Sequence, residues 1–244
     1  AYSYILCSII LCLISVILNK MKTKQIIQKV LIVAIMAFLV AGWWFIRNAI
    51  IYNGDFLGIN AQNECGDKYA SEEYKPSTRL TVQRKNESII NMLTKDKWIN
   101  VTLKSFVGIF GYNSMIMSNK IYYSYFLIWI IGIIGCLMKF KDLFIYNKEE
   151  KNKYLLNYIF ILSIIIPIIL SIYYSYTSDF QPQGRYIMGI IIPFTYFIVN
   201  GIQKILEKFV KSEKIRKCIV LVIMLLIIVI SMRALFGYII PRYK

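Results

Sequence analysis

The feature that most constrains this chain is the recurrence of apolar runs, each about twenty residues long and nearly free of charge. At a rise of about 1.5 Å per residue, such a run spans the roughly 30 Å hydrocarbon core of a bilayer as a single helix. Six runs are read: Tyr2–Asn19, Val30–Ile51, Ile121–Met138, Tyr154–Tyr174, Arg185–Ile205 and Cys218–Tyr238. With 58% hydrophobic and 17% charged residues, the chain falls outside the usual balance of soluble domains. The expected fold is an all-α integral membrane protein of about six transmembrane helices. Its organisation is 1–52 (helices 1 and 2), 53–120 (a long extracytoplasmic loop) and 121–244 (helices 3 to 6). The chain opens directly in an apolar run, without Met or a basic lead, and is read as the carboxy-terminal part of a longer protein.

The formal charge of +16 does not point to nucleic acid, because of where the charges lie. Fifteen of the 29 Lys and Arg sit in the connectors after helices 1, 3 and 5. Short basic connectors stay on the cytoplasmic side. The 53–120 loop, the 176–184 link and both termini are therefore expected outside a cell membrane. Trp43, Trp44, Tyr52, Tyr122, Tyr123, Tyr173, Tyr174, Tyr176 and Tyr186 cluster at the outer helix ends, as an aromatic belt does. Within the loop, 60–87 reads as irregular and exposed. Residues 88–110 regain helical periodicity, either as one or two amphipathic interfacial helices or as a small extracytoplasmic subdomain.

The chain has no histidine, which removes Ser-His-Asp chemistry and most zinc sites. Four of its five cysteines (Cys7, Cys12, Cys136 and Cys218) lie in or beside apolar runs. Cys65, in the loop, has no evident partner. Catalysis here would rest on carboxylates, Lys, Arg, Tyr or an oxygen-held divalent metal; no organic cofactor is expected, and the metal requirement is left open.

Three polar segments break the apolar pattern. The first is Trp43-Trp44-Phe45-Ile46-Arg47-Asn48, followed by Tyr52-Asn53-Gly54-Asp55. Arg47 lies one turn from Trp43, so its guanidinium can stack on an indole and bind a lipid phosphate; the alternative is an Arg snorkelling beside belt tryptophans. The second is Ser178-Asp179-Phe180-Gln181-Pro182-Gln183-Gly184-Arg185-Tyr186. It is a tight turn whose amides, Asp and Arg can bind phosphate or sugar hydroxyls, or simply close an Asp179–Arg185 pair. The third is Ser105-Phe106-Val107-Gly108-Ile109-Phe110-Gly111-Tyr112, where Gly108 and Gly111 permit close backbone approach or mark a packing junction.

Taken in order, these segments resemble a family of bacterial polytopic membrane proteins of unassigned function. That family is in turn similar to the GT-C glycosyltransferases, which use polyprenyl-phosphate sugar donors at the outer membrane face. The resemblance covers about residues 30–195. It implies a GT-C-like bundle in which Arg47 and Arg185 contact the donor phosphate; from the polar segments themselves Gln183, Trp43 and Asn48 are further binding candidates, and the expected acceptor is a glycan or lipid. It supplies no catalytic base; in that family an acidic residue in the first outer loop serves, a region expected upstream of Ala1. Asp55 and Asp179 are the weaker carboxylate candidates. Gly189 stands where relatives often carry Pro after Gly-Arg-Tyr. The competing expectation is a non-catalytic multi-pass protein: a transporter, a flippase or an envelope assembly factor. Oligomeric state is not readable.

Overall fold

The computed structural model describes residues 23–111, 114–144 and 151–242. Five helices among them are long and apolar enough to cross a membrane: Lys24–Ile51, Asn119–Met138, Lys153–Thr177, Gly184–Phe209 and Glu213–Arg242. The expected first span, Tyr2–Asn19, lies outside the described residues. The chain exposes 17282 Å², whereas a compact soluble protein of 28.6 kDa exposes about 11,000 Å². Much of the excess is aliphatic, including Val40, Ile50 and Ile192, each more than 70% exposed. Apolar surface on that scale needs hydrocarbon around it.

In chain order, α1 (Thr23–Ala37), a π turn (Phe38–Gly42) and α2 (Trp43–Ile51) form one continuous rod. The loop region carries α3 (Ile59–Tyr69), α4 (Ile89–Thr94), α5 (Trp98–Gly108) and a two-residue hairpin, β1 (Ile109–Phe110) against β2 (Met115–Ile116). The remaining spans are α6 (Asn119–Met138), a short α7 (Phe140–Phe144), α8 (Lys151–Thr177), α9 (Ile191–Phe209) behind a 3-10 segment (Gly184–Ile190), and α10 (Glu213–Ala234).

The bundle is built on α6 and α9. Trp129 faces Phe194, Gly132 faces Ile198 and Gly135 faces Gly201, so the two helices run parallel. The backbones nearly touch. A Cβ at Gly135 would lie 1.9 Å from the Gly201 carbonyl oxygen, and one at Gly201 would lie 1.8 Å from the Gly132 oxygen. In a bilayer, with no hydrophobic drive between helices, such small-residue contacts supply the packing. Parallel neighbours need a return span, and α8 provides it. At one end of α8, Asn157, fully buried, donates to Leu143 O (2.7 Å) and accepts from Tyr196 Oη (2.9 Å), tying α7, α8 and α9 together. At the other end the Trp98 indole N–H donates to Ser175 Oγ (2.9 Å), seating the loop helices on α8. The rods Lys24–Ile51 and Glu213–Arg242 are far less enclosed: 6% of each apolar window is buried, against 33% for Gly184–Phe209.

Several expectations change. Residues 60–87 are not wholly irregular, because 59–69 form α3. Gly58 turns the chain at φ +71°, and the Asp55 carboxylate accepts the Ala61 amide (3.0 Å) at the new helix start. No residue of α3 is buried, and its few apolar residues are too sparse to stand out as a helical stripe in the sequence. The fifth span does not begin as α-helix at Arg185; seven residues wind as 3-10 first. Pro193 explains the boundary. It lacks the N–H that would bond to Gly189, and its ring crowds that carbonyl, so the α-helix starts only two residues before it. Loop residues 88–110 form two helices, which bury Val82, Met92 and Trp98 against Ile172 and Tyr176. Ile90, Ile99 and Leu103 remain on their exposed side.

Gly201→Ala should abolish monodisperse, folded protein in detergent, whereas Gly237→Ala, with nothing within 4 Å of the added carbon among the described residues, should behave as wild type by size-exclusion and thermal denaturation. The loop carries a pH-sensitive clasp. The Ser77 amide donates to Asp67 Oδ1 (2.8 Å) and, with lesser contributions from the Ser77 side chain, Lys75 and Arg84, holds that carboxyl below its ordinary value. A depressed carboxylate contributes stability above its unfolded pKa of about 3.9 and loses it as pH falls through the lowered value. Hydrogen-exchange protection at Ser77 should therefore fade on acidification in the wild type and be low at every pH in Asp67→Ala.

Candidate phosphate-facing turn

The turn at 178–190 is held by a backbone contact. Gly184 is buried against α5, where a Cβ would meet Phe106 N at 2.2 Å and Phe106 Cα at 2.4 Å. The second and third polar segments of the sequence are thus brought together, and the glycine that makes the approach is Gly184. Gly111 instead serves the hairpin turn (φ +55°), and the Gly108 carbonyl accepts the Tyr122 hydroxyl (2.9 Å). Tyr112 lies outside the described residues. Phe106, Trp129 and Phe194 pack edge to face at centroid distances of 5.2–6.3 Å, locking α5 to α6 and α9 beneath the turn.

On this base Arg185 projects into solvent without a carboxylate at ion-pair distance among the described residues. The direct Asp179–Arg185 pair considered from sequence does not form. A relay replaces it. Arg185 Nη2 donates to Tyr186 Oη (3.1 Å), the Tyr186 hydroxyl donates to Gln181 Oε1, and Gln181 Nε2 donates to Asp179 Oδ2. The Arg185 guanidinium carbon also lies 5.0 Å from the centroid of the Tyr186 ring. Each link points from the cation towards the carboxylate, so the bonds polarise one another. Arg185 is oriented, yet its Nη1 and Nε hydrogens have no partner among the described residues, and this is the fork that matches two phosphate oxygens. Gln183 is partly buried; its backbone carbonyl accepts the Tyr186 amide (3.2 Å), a turn-forming rather than ligand-facing contact.

The first segment is arranged differently. Arg47 lies over Trp44, 5.5 Å from the ring centroid, not over Trp43. The Trp43 indole N–H donates to Val40 O (3.1 Å), and its ring meets Trp44 edge to face. Asn48 is 2% exposed and donates to Phe56 O (3.4 Å) while accepting from Arg47 Nη1 (3.4 Å), so it pins the turn after α2. Asp55 is spent on the start of α3. Arg47 and Arg185 share no partner among the described residues, so the structure links the 105–111 and 178–186 segments but does not join the Arg47 turn to them.

Gln181 and Tyr186 lie inside the second polar segment, but their place between Arg185 and Asp179 is not visible in the sequence. The usable signal is their spacing of five across Pro182, which brings the two side chains to one side of the turn. Among the described residues, no three His, Cys, Asp or Glu side chains gather as a metal site. Comparison with known protein families, with curated proteins and with solved structures finds no match.

Gly184→Ala should lower the thermal midpoint sharply and open the 178–186 turn to protease, because its clash is with backbone, which cannot swing aside. Overpacking of this kind costs about 1–3 kcal/mol or more. Thr102→Val should be neutral or stabilising by about 1 kcal/mol, since the Thr102 hydroxyl is buried without a hydrogen-bond partner among the described residues. Chemical denaturation in detergent, with Ser105→Ala as a reference substitution on the same helix, reads both.

Proposed function

We propose that this chain forms part of a GT-C-like membrane glycosyltransferase. The protein would take sugar from a polyprenyl-phosphate donor at the outer face of the cell membrane and pass it to an extracytoplasmic glycan or lipid acceptor. The observation that carries this reading is the state of Arg185: exposed, oriented by Tyr186, and free of a competing carboxylate among the described residues. Departure of a phosphate from a sugar carbon leaves charge on the phosphate oxygens. A pre-oriented guanidinium stabilises that charge without reorganising during the step. The aromatic residues around the turn suit a ligand with a polar head and an apolar tail: Tyr173, Tyr174 and Tyr186 are exposed beside it.

In this reading Arg185 contacts the donor phosphate, and Tyr186 and Gln181 are positioning residues. Asp179 anchors the relay and is not assigned as the base that deprotonates the acceptor. Arg47, stacked on Trp44 at the end of α2, is a second phosphate contact by the resemblance alone. The expected membrane orientation puts this turn outside and the α9–α10 connector in the cytoplasm.

The test measures transfer of labelled sugar from a polyprenyl-phosphate hexose in membranes containing the full-length protein. Arg185→Ala should reduce transfer by about 10²–10³-fold at normal protein levels, the scale for losing one charge-stabilising donor. Arg185→Lys should recover only part of it, because an ammonium cannot offer the planar fork. Tyr186→Phe should reduce transfer less than Arg185→Ala. Unchanged transfer in Arg185→Ala removes the residue from the mechanism. Movement of the labelled lipid across proteoliposomes without any transfer would favour the transporter reading.

A further inference from the structure

A long groove lies between α9 and α10, with part of α6 as its floor. The two helices leave the connector at 210–212 as neighbours, but they do not pack closely against each other along their length. The far part of the Glu213–Arg242 rod leans on α6 instead: Ala234, Ile230 and Tyr238 pack with Ile121 and Tyr122, and the Tyr125 and Ser231 hydroxyls lie 2.9 Å apart. The space left open measures about 930 Å³, near the upper end for small-ligand sites. Along α9 it extends from Ile191 to Glu207, about 24 Å at the helical rise.

The walls of the groove differ sharply along that length. The middle is aliphatic, lined by Val199, Ile202, Leu206, Val220, Ile223 and Met224. Both walls belong to membrane spans, so water in this part would be unpaired and hydrocarbon is the fitting occupant. At the connector end the lining turns polar. Glu207 accepts from Gln203 (2.9 Å), and Glu213 pairs with Lys217 (2.7 Å), so both acidic groups are engaged. Arg216 is held at the mouth by Val210 O (3.1 Å) and Lys211 O (3.4 Å), both through Nη1. Its Nη2 and Nε have no partner among the described residues. The segment 204–217 carries six basic residues against two acidic ones. An aliphatic slot ending in a fixed guanidinium within a net positive segment is complementary to one kind of molecule, an anionic lipid lying along the helices.

We infer that the α9–α10 groove binds an anionic phospholipid of the surrounding leaflet, with an acyl chain in the aliphatic slot and the phosphate on Arg216. The site stands at the opposite end of α9 from the Arg185 turn and does not depend on the glycosyltransferase reading. The bound lipid would also fill the gap that keeps α10 from packing on α9, so it serves as a wedge between the two spans. Basic residues near a membrane surface contribute about 1 kcal/mol each towards anionic headgroups, which corresponds to roughly a fivefold preference per charge.

The experiment uses the full chain, delipidated in detergent and titrated with phosphatidylglycerol or phosphatidylcholine of matched acyl chains, with retained lipid counted by native mass spectrometry. Wild type should retain phosphatidylglycerol at least about fivefold over phosphatidylcholine. Arg216→Gln should lose most of that preference while still binding either lipid through its tail. Ile223→Trp, which fills the slot, should reduce both lipids. Lys208→Gln, an equal loss of charge outside the groove lining, should lower the preference less than Arg216→Gln and also reports whether removing a surface charge disturbs folding. Equal retention of the two lipids by wild type overturns the inference, as does an undiminished preference in Arg216→Gln. Displacement of phosphatidylglycerol by an equimolar polyisoprenyl phosphate also overturns it, and reassigns the groove to the donor's tail.

Discussion

At Gly132, Gly135 and Gly201 two parallel helices meet backbone to backbone. Everything near the candidate site takes its position from that line. Trp129 and Phe194 stack directly beyond it, Phe106 closes over them, and Gly184 rests on the backbone of Phe106. A side chain at either end of this series would push α9 from α6 or the turn from α5. In lipid, burial of apolar surface drives helices together only weakly, so contact distance decides which spans associate. Among the described spans, α8 has no glycine and is held instead by Asn157 and Ser175, while Lys24–Ile51 and Glu213–Arg242 have only 6% of their apolar windows buried.

Polar fastenings lock the two ends of the bundle. Asn157 joins three elements at one end, and Lys204 reaches Asp142 (3.3 Å) beside it. Trp98 and Ser175 join loop to span at the other. An unsatisfied amide or hydroxyl at these depths is costly, so each pair specifies register as well as adding stability. The same economy separates the two carboxylates near the arginines. Asp55 and Asp179 are both engaged by neighbouring groups, so each reads as a structural anion that sets a cap or a relay.

Much of the architecture was legible in the sequence because a bilayer-spanning helix has a length and composition that nothing else in a globular chain imitates. The spans beginning near Val30, Ile121, Tyr154, Arg185 and Cys218 all recur, shifted by a few residues where polar flanks such as Glu213 or Lys151 continue the helix. The 3-10 segment follows from Pro193, a residue visible in the sequence whose consequence lies upstream of it. Helix α3 escaped notice because it is mostly polar and has no fully buried residue. Within the 178–186 turn the residue types were evident, but not that Tyr186 and Gln181 would stand between Arg185 and Asp179, since that depends on how Pro182 and Gly184 direct the chain against α5.

The amino-acid sequence by itself determined that the chain lives in a membrane, roughly where it crosses, and which few turns carry charge; those properties are set by local hydropathy and need no partner. Only the tertiary structure decided which spans touch, which glycine makes each close approach, and that the 105–111 segment supports the 178–186 turn, while Arg47 and Arg185 share no partner among the described residues. These are pairings between residues far apart along the chain, and helix periodicity, which repeats about every 3.6 residues, carries no information about them.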